Sequence, residues 1–445
     1  MNKHPDQSNV SDTVRESAAS RLLRHSLLLL AAGQISNVAN MLFQMLMNRR
    51  LPGAEYGVLA TMLAMVTIAT YPLVALRAGA AYFTAILVQH RDTRGAARVT
   101  RMWLLRLALG AGLIIIGGVM TAPLLARLLQ LPAPLLMGLT AGLIALSLFQ
   151  PVLTGALQGV EAFGWLALVA PVQGLVRLLA GATVTAWIAA TAMAAMGAQA
   201  LGIIAASLLA AYGLRRAMPM AAATDNPPRL PLPRYVLGAC LALLGFSFIM
   251  HADVVLVKYF FPPELAGTFA RAANAARMVV FLPLPIATAM FPKVVTQDAG
   301  QVAGHHRILG LALVYTCALV LAAAFIGSWG AGLIWRIFTG TTADGAELAL
   351  LRGLLWAMSP LGACFIMLQF ELARRRFRAA WILAIVALLY IHELHRGLAA
   401  AIPPAVRGVH VEVVSWSLAE VGADHPGRPG LAGQARKYTL APARA

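Results

Sequence analysis

An all-α integral membrane protein, built as two helical bundles related by an internal repeat, is the fold class this 445-residue chain predicts. Three observations predict it. The composition is 60% hydrophobic and only 12% charged, with a mean hydropathy of +0.75, whereas soluble domains carry about 25% charged residues. Apolar runs near the ~20 residues that cross a bilayer as a helix recur along the chain, and the strand-length alternation of a β-barrel does not. The sequence also repeats itself on either side of a Pro-rich break.

The first 25 residues, MNKHPDQSNVSDTVRESAASRLLRH, are polar and carry no cleavage-site pattern. They read as a cytoplasmic tail, and the apolar run after them as an anchor that stays in the protein. Spanning helices are predicted at 27–48, 57–88, 103–122, 135–158, 164–190, 193–214, 235–261, 266–292, 308–328, 348–371 and 377–391, about eleven in all. The basic residues sit between these runs and alternate in density. Lys3, Arg15, Arg21 and Arg24, then Arg91, Arg94, Arg98 and Arg101, then Arg215, Arg216, Arg229 and Arg234, Lys293 and Arg307, and Arg374, Arg375, Arg376 and Arg378 fall on one side. Arg49, Arg50, Arg127, Lys258 and Arg336 fall on the other. The positive-inside rule then places the N-terminus in the cytoplasm of a bacterial inner membrane. The same placement explains the net charge of +18 as helix flanks, so no nucleic acid is expected as a partner.

The connection RRAMPMAAATDNPPRLPLPR, residues 215–234, is Pro-rich and has no apolar periodicity. It divides a six-helix bundle, 26–214, from a second bundle of five helices, 235–391. "LPGAEYG" (51–57) closes the first helix and "FPPELAG" (261–267) the seventh; "TYPLVAL" (70–76) and "FLPLPIA" (281–287) follow at nearly matching offsets. A tight Pro-to-Gly loop followed by a Pro-interrupted helix therefore occurs twice. Recurrent turn chemistry is the competing explanation, but the offsets favour a repeat. Parallel repeats of this kind imply a V-shaped, alternating-access transporter.

A charge at mid-bilayer costs ~3 kcal/mol or more, so polar residues in the spans should face protein or a hydrated cleft. A helix turns about 100° per residue, which puts Gln34, Asn37, Asn40, Gln44 and Asn48 on one face of the first helix. Gln150, Thr154, Gln158 and Glu161 share a narrower arc of the fourth. Interhelical hydrogen bonding and a substrate path account for such amides equally well. Arg77, Gln173 with Arg177, and Arg271, Asn274 and Arg277 add four cations on three helices against few acids. That excess points to an anionic substrate, for which arginine is the bidentate ligand. In and just before "IMHADVVLVKYFF" (249–261), Ser247, His251 and Lys258 share a face while Asp253 points away. Asp253 reads as a salt bridge to a neighbouring helix or as part of a cation site.

The absence of GxxxxGK[ST], HExxH, GxSxG and CxxC patterns argues against an ATPase or a metalloenzyme, and no cofactor or metal is expected. Cys240, Cys317 and Cys364 lie singly in separate spans and read as small core residues. Gly138/Gly142 and Gly155/Gly159 have helix-packing spacing.

"NVANMLFQMLMNRRLPGAEYGVLATMLAMV", "LQGVEAFGWLAL" and "HADVVLVKYFFPPELAGTFARAANAARMVVFLPLPIATAMFPKVV" together resemble the polysaccharide-biosynthesis flippases of the multidrug/oligosaccharidyl-lipid/polysaccharide exporter superfamily, over about 27–391. The resemblance implies two six-helix bundles that carry polyprenyl-pyrophosphate-linked oligosaccharide across the membrane for O-antigen (lipopolysaccharide) or exopolysaccharide assembly, with membrane lipid and a polymerase of the same pathway as partners. It also implies that Asp253 matches the acidic position that helps bind an ion in sodium-coupled relatives. The acidic partner expected in the late helices is missing. A cation-coupled exporter of small molecules on the same fold would carry a carboxylate in the first helix, and 27–48 has none. Family members have at least twelve helices. Here apolar character ends at "ALLYI", and residues 392–445 form a polar tail with no further span, read as a frame shift near 391 that leaves an incomplete, inactive copy, or as a genuine extramembrane tail.

Overall fold

The structure, a computed structural model, describes residues 7–218, 234–287, 302–374 and 385–390, with a few isolated residues besides. These belong to one unit, Met1–Leu398. Most of the linker and the tail from 397 onwards lie outside the described residues, so the expectations for both fall there.

Every regular element among the described residues is an α-helix. The N-terminal half contains α1 (Gln7–Arg50), α2 (Gly53–Thr70), α3 (Leu73–Gln89), α4 (Thr93–Leu128), α5 (Leu135–Ser147), α6 (Phe149–Gly159), α7 (Phe163–Trp187) and α8 (Ala192–Ala217). The C-terminal half contains α9 (Arg234–Phe260), α10 (Pro263–Ala276), α11 (Met278–Phe281), α12 (Val302–Trp329), α13 (Ala331–Thr339) and α14 (Gly345–Ala373). Among the described residues nine helical stretches are long and apolar enough to span a membrane, taking α2 with α3 and α5 with α6 as single kinked crossings. The eighth expected span is present in pieces, as α10, α11 and a further turn at 284–287. The eleventh is described only at 385–390. The short helix α13 was not expected, because its nine residues include Arg336 and fall below bilayer length.

Side-chain placement is that of a membrane protein. Leu109, Leu113 and Met120 of α4 and Val314, Phe325 and Ile326 of α12 are exposed apolar surface suited to lipid. Six hydroxyls inside the helices are satisfied locally: Thr61, Thr67, Thr70, Thr140, Thr154 and Ser359 each donate to the carbonyl four residues back.

Prolines set where the helices break. Pro72 cannot donate to the carbonyl of Ile68, and α2 gives way to α3 there. Pro151 likewise leaves the carbonyl of Ser147 without its helical donor, and the chain breaks between α5 and α6. Pro283 follows α11 in the same way. The two halves match in backbone detail: Pro52 before α2 has φ −53° and ψ 154°, and Pro262 before α10 has φ −54° and ψ 152°.

These repeat-related helices also meet. Successive crossings run in opposite directions, so the ends of α1, α4, α7, α9 and α12 share one side of the bundle, here termed the tip. There α2 packs on α10, and a Cβ added to Gly57 would lie 2.9 Å from the nitrogen of Gly267. Only glycine at both positions lets the helices approach this closely. Below the tip the halves stay joined along α2, α3 and α9. Ser247 Oγ donates to the Thr67 carbonyl and Cys240 Sγ to the Pro72 carbonyl, each at 3.4 Å.

Candidate functional site

The N-terminal half contains a half-open cavity of about 570 Å³. Its polar lining comes from positions that the prolines expose. Thr67, Thr70 and Arg77 flank the Pro72 break; Ser147, Gln150 and Thr154 flank Pro151; Gln173 and Arg177 follow Pro171 within α7. Gln44 of α1 and Gln199 of α8 complete the polar set. Gly155 brings α6 onto α3 at the level of Arg77, since a Cβ there would stand 2.4 Å from the Arg77 carbonyl. Gly159 repeats this approach one turn on, against the Ala81 carbonyl. The other predicted packing pair, Gly138 and Gly142, makes no such close contact.

The two cavity arginines differ in how they are held. Arg177 donates Nη1 to Gln199 Oε1 at 2.6 Å, and its guanidinium lies 4.2 Å from the centroid of the Phe43 ring. One face is thus stacked and one edge tied, while Nε has no hydrogen-bond partner. Arg77 makes no side-chain hydrogen bond to the described residues and stands half-buried on α3. Gln150 donates to Gln173 Oε1 at 2.6 Å, fixing the amides between them. Among the described residues no aspartate or glutamate lines the cavity. Two cations facing amides and hydroxyls are an arrangement whose chemistry suits an anion.

The other cations named from the sequence lie elsewhere. Arg277 is not a free cation: its Nη2 is ion-paired with Asp253 Oδ1, its Nε donates to the Met250 carbonyl at 2.7 Å and its Nη1 to Asn274 Oδ1 at 3.1 Å. Of the two roles open to Asp253, the salt bridge is the one present. The expectation that the acids are too few to neutralise the arginines fails here, because the single acid of α9 packs against this arginine. Asn274 continues the network to the Tyr56 hydroxyl at 2.8 Å, across the boundary between the halves. Arg271 donates to the Leu51 carbonyl at 3.1 Å, at the tip. Neither Arg271 nor Arg277 lines the cavity, so the four arginines form two groups and not one cluster.

The amide stripe of α1 also divides. Gln44 lines the cavity; Asn40 is half-buried, and its carbonyl accepts from Arg177 Nη2 at 3.4 Å; Asn37 is exposed. Asn48 is buried with neither side-chain atom hydrogen-bonded. Gln158 is exposed and outside the cavity. Lys258 is fully buried, and its Nζ has no hydrogen-bond partner. Gln199 was missed from the sequence; the available signal was a lone amide in the middle of an apolar helix. Phe43 and Tyr56 gave no signal, because an aromatic in an apolar run reads as core. Among the described residues no cluster of three potential metal ligands occurs.

A two-lobed, multi-pass helical fold with a polar cavity among broken helices defines a class of membrane transporter. The chain belongs to the polysaccharide biosynthesis protein family, which matches residues 22–296. Solved structures similar to it include a multidrug-resistance MATE family transporter of the MOP superfamily in an inward-facing conformation, at 14% identity, over 85% of this chain and 99% of that one, with a TM-score of 0.57. A MOP superfamily transporter from Pyrococcus furiosus, whose binding pocket is described as of reverse polarity suggesting a different function, aligns at 16% identity over 90% and 95%, TM-score 0.55. A MATE structure in complex with MaD3S aligns at 16% over 84% and 96%, TM-score 0.52. At these identities the likeness establishes the fold alone. No curated protein sequence matches the chain.

Proposed function

We propose that this chain is a flippase for polyprenyl-pyrophosphate-linked oligosaccharide in a bacterial cytoplasmic membrane, with its N-terminus in the cytoplasm and the tip facing outward. The observation that carries the reading is the acid-free cavity with Arg77 and Arg177 on facing helices. Two guanidiniums offer a diphosphate charge-assisted, bidentate hydrogen bonds, and the amides Gln44, Gln150 and Gln173 suit sugar hydroxyls. A cation-coupled exporter of small molecules fits less well, because the cavity offers no carboxylate to a cation. Transport in this reading rocks residues 26–214 against 235–391, with Arg271 and Asn274 serving the contact between lobes, Arg277 held by Asp253 inside its own lobe, and Lys258 buried outside the cavity.

Deletion of the gene followed by complementation tests the proposal. Loss of surface polysaccharide with accumulation of short lipid-linked units inside, restored by the wild-type gene and not by Arg77→Gln with Arg177→Gln, is the expected outcome. Normal surface polysaccharide in the deletion strain, or full rescue by the double variant, contradicts it.

A further inference from the structure

The lobes are tied at the tip by guanidiniums that end on backbone carbonyls. Arg49, at the end of α1, donates Nε to the Ile337 carbonyl at 3.1 Å and Nη2 to the same oxygen. Ile337 lies in the last turn of α13, where carbonyls lack helical donors and the helix dipole is negative. Gly340 ends that helix with φ 78°, and a Cβ there would stand 3.5 Å from Arg49 Cγ. In the opposite direction Arg271 of α10 donates Nη2 to the Leu51 carbonyl at 3.1 Å, with its guanidinium 5.9 Å from the Tyr56 ring centroid. Each lobe thus gives one arginine to a main-chain oxygen at a helix end of the other.

We propose that Arg49 and Arg271 form a reciprocal, carbonyl-directed latch that holds the tip closed, a device that rests on the two-lobe transport reading above. Arg49 is exposed and Arg271 half-buried. When the lobes part, both guanidiniums and both carbonyls pass to water, and no lone charge is left inside the protein. A buried ion pair across the same boundary would leave two. A neutral acceptor also confines the attraction to hydrogen-bond range, so the latch releases over a short displacement. The Asp253–Arg277 pair has the contrasting design: both partners are deeply buried within one lobe and move with it.

Spin labels at the tip test this. Trp187 ends α7 in one lobe and Trp329 ends α12 in the other, with relative exposures of 87% and 90%. With Cys240, Cys317 and Cys364 replaced by Ala, Trp187→Cys and Trp329→Cys are labelled and the interlabel distances measured by double electron–electron resonance in nanodiscs. Arg49→Gln with Arg271→Gln should raise the fraction at long, tip-open distances about tenfold. Arg50→Gln is the control: Arg50 bonds to Ala182 and Thr185 of its own lobe, so its loss should leave the distribution unchanged. Should the double variant fail to fold, Arg49→Gln alone should give a smaller rise in the same fraction. An unchanged distribution in the folded variants, or equal opening by Arg50→Gln, overturns the latch. A tip that opens as expected, in a protein whose deletion leaves surface polysaccharide intact, upholds the latch and overturns the transport reading instead.

Discussion

Arg277 carries a charge whose meaning was set by a neighbour 24 residues away. Spacing along the sequence placed Arg277 inside a span but could not tell that α10 folds back so that it meets Asp253. The same blindness hid Gln199, which lies 22 residues from Arg177 on the next helix. Residues on one helix are related by angle, which a sequence displays; residues on two helices are related by packing, which it does not. The buried pair has a specific consequence. Removing one partner of a buried ion pair costs about 3–5 kcal/mol, because the other charge is left without its counter-ion. Asp253→Asn and Arg277→Gln should each lower the melting temperature in detergent clearly. Asp253→Leu combined with Arg277→Met should recover most of that loss, since an apolar pair of similar volume carries no desolvation penalty. A double variant as unstable as the sum of the singles would show that the pair is not the shared cause. At the cavity, Arg177→Lys should weaken binding of a diphosphate lipid nearly as much as Arg177→Gln. An ammonium cannot reproduce both the Phe43 stacking and a two-pronged phosphate contact.

Elements were more legible than pairs. Long apolar runs located the spans to within a few residues at most ends, and the Pro-to-Gly loops located both starts of the repeat. Asp344 and Glu347, three apart, form the capping box that begins α14, a pattern visible in the sequence. What the runs could not show is where a crossing breaks. Pro72 and Pro151 divide their helices, while Pro123, Pro171 and Pro360 sit inside continuous ones, and neighbouring helices decide between these outcomes. The meeting of α2 with α10 gives the sharpest element-scale prediction. A Cβ on Gly267 would stand 2.0 Å from the Gly53 carbonyl oxygen, and backbone cannot yield as a side chain can. Gly267→Val should therefore force the tip apart, visible as longer Trp187-to-Trp329 label distances and a lower melting temperature. Gly33→Ala, with nothing within 4 Å, should change neither. Equal tolerance of both substitutions would mean that the helix crossing does not depend on glycine.

At the scale of the molecule, the asymmetry between the lobes matters most. The chain repeats its helices, yet the cavity and its two unneutralised arginines belong to the N-terminal half. In the second half the buried arginine that caps α10, Arg277, is tied to an aspartate. Under the proposed function one lobe holds the anion, while the arginine of the other holds its own helices together. The direct test is the affinity of purified protein in nanodiscs for undecaprenyl pyrophosphate, compared with uncharged undecaprenol. The account predicts that wild-type protein prefers the diphosphate. Arg77→Gln with Arg177→Gln should lose that preference by about tenfold or more, with undecaprenol binding unchanged. Equal affinity of wild-type protein for the two lipids, or a preference that survives the cavity double variant and vanishes in Arg271→Gln, would contradict it.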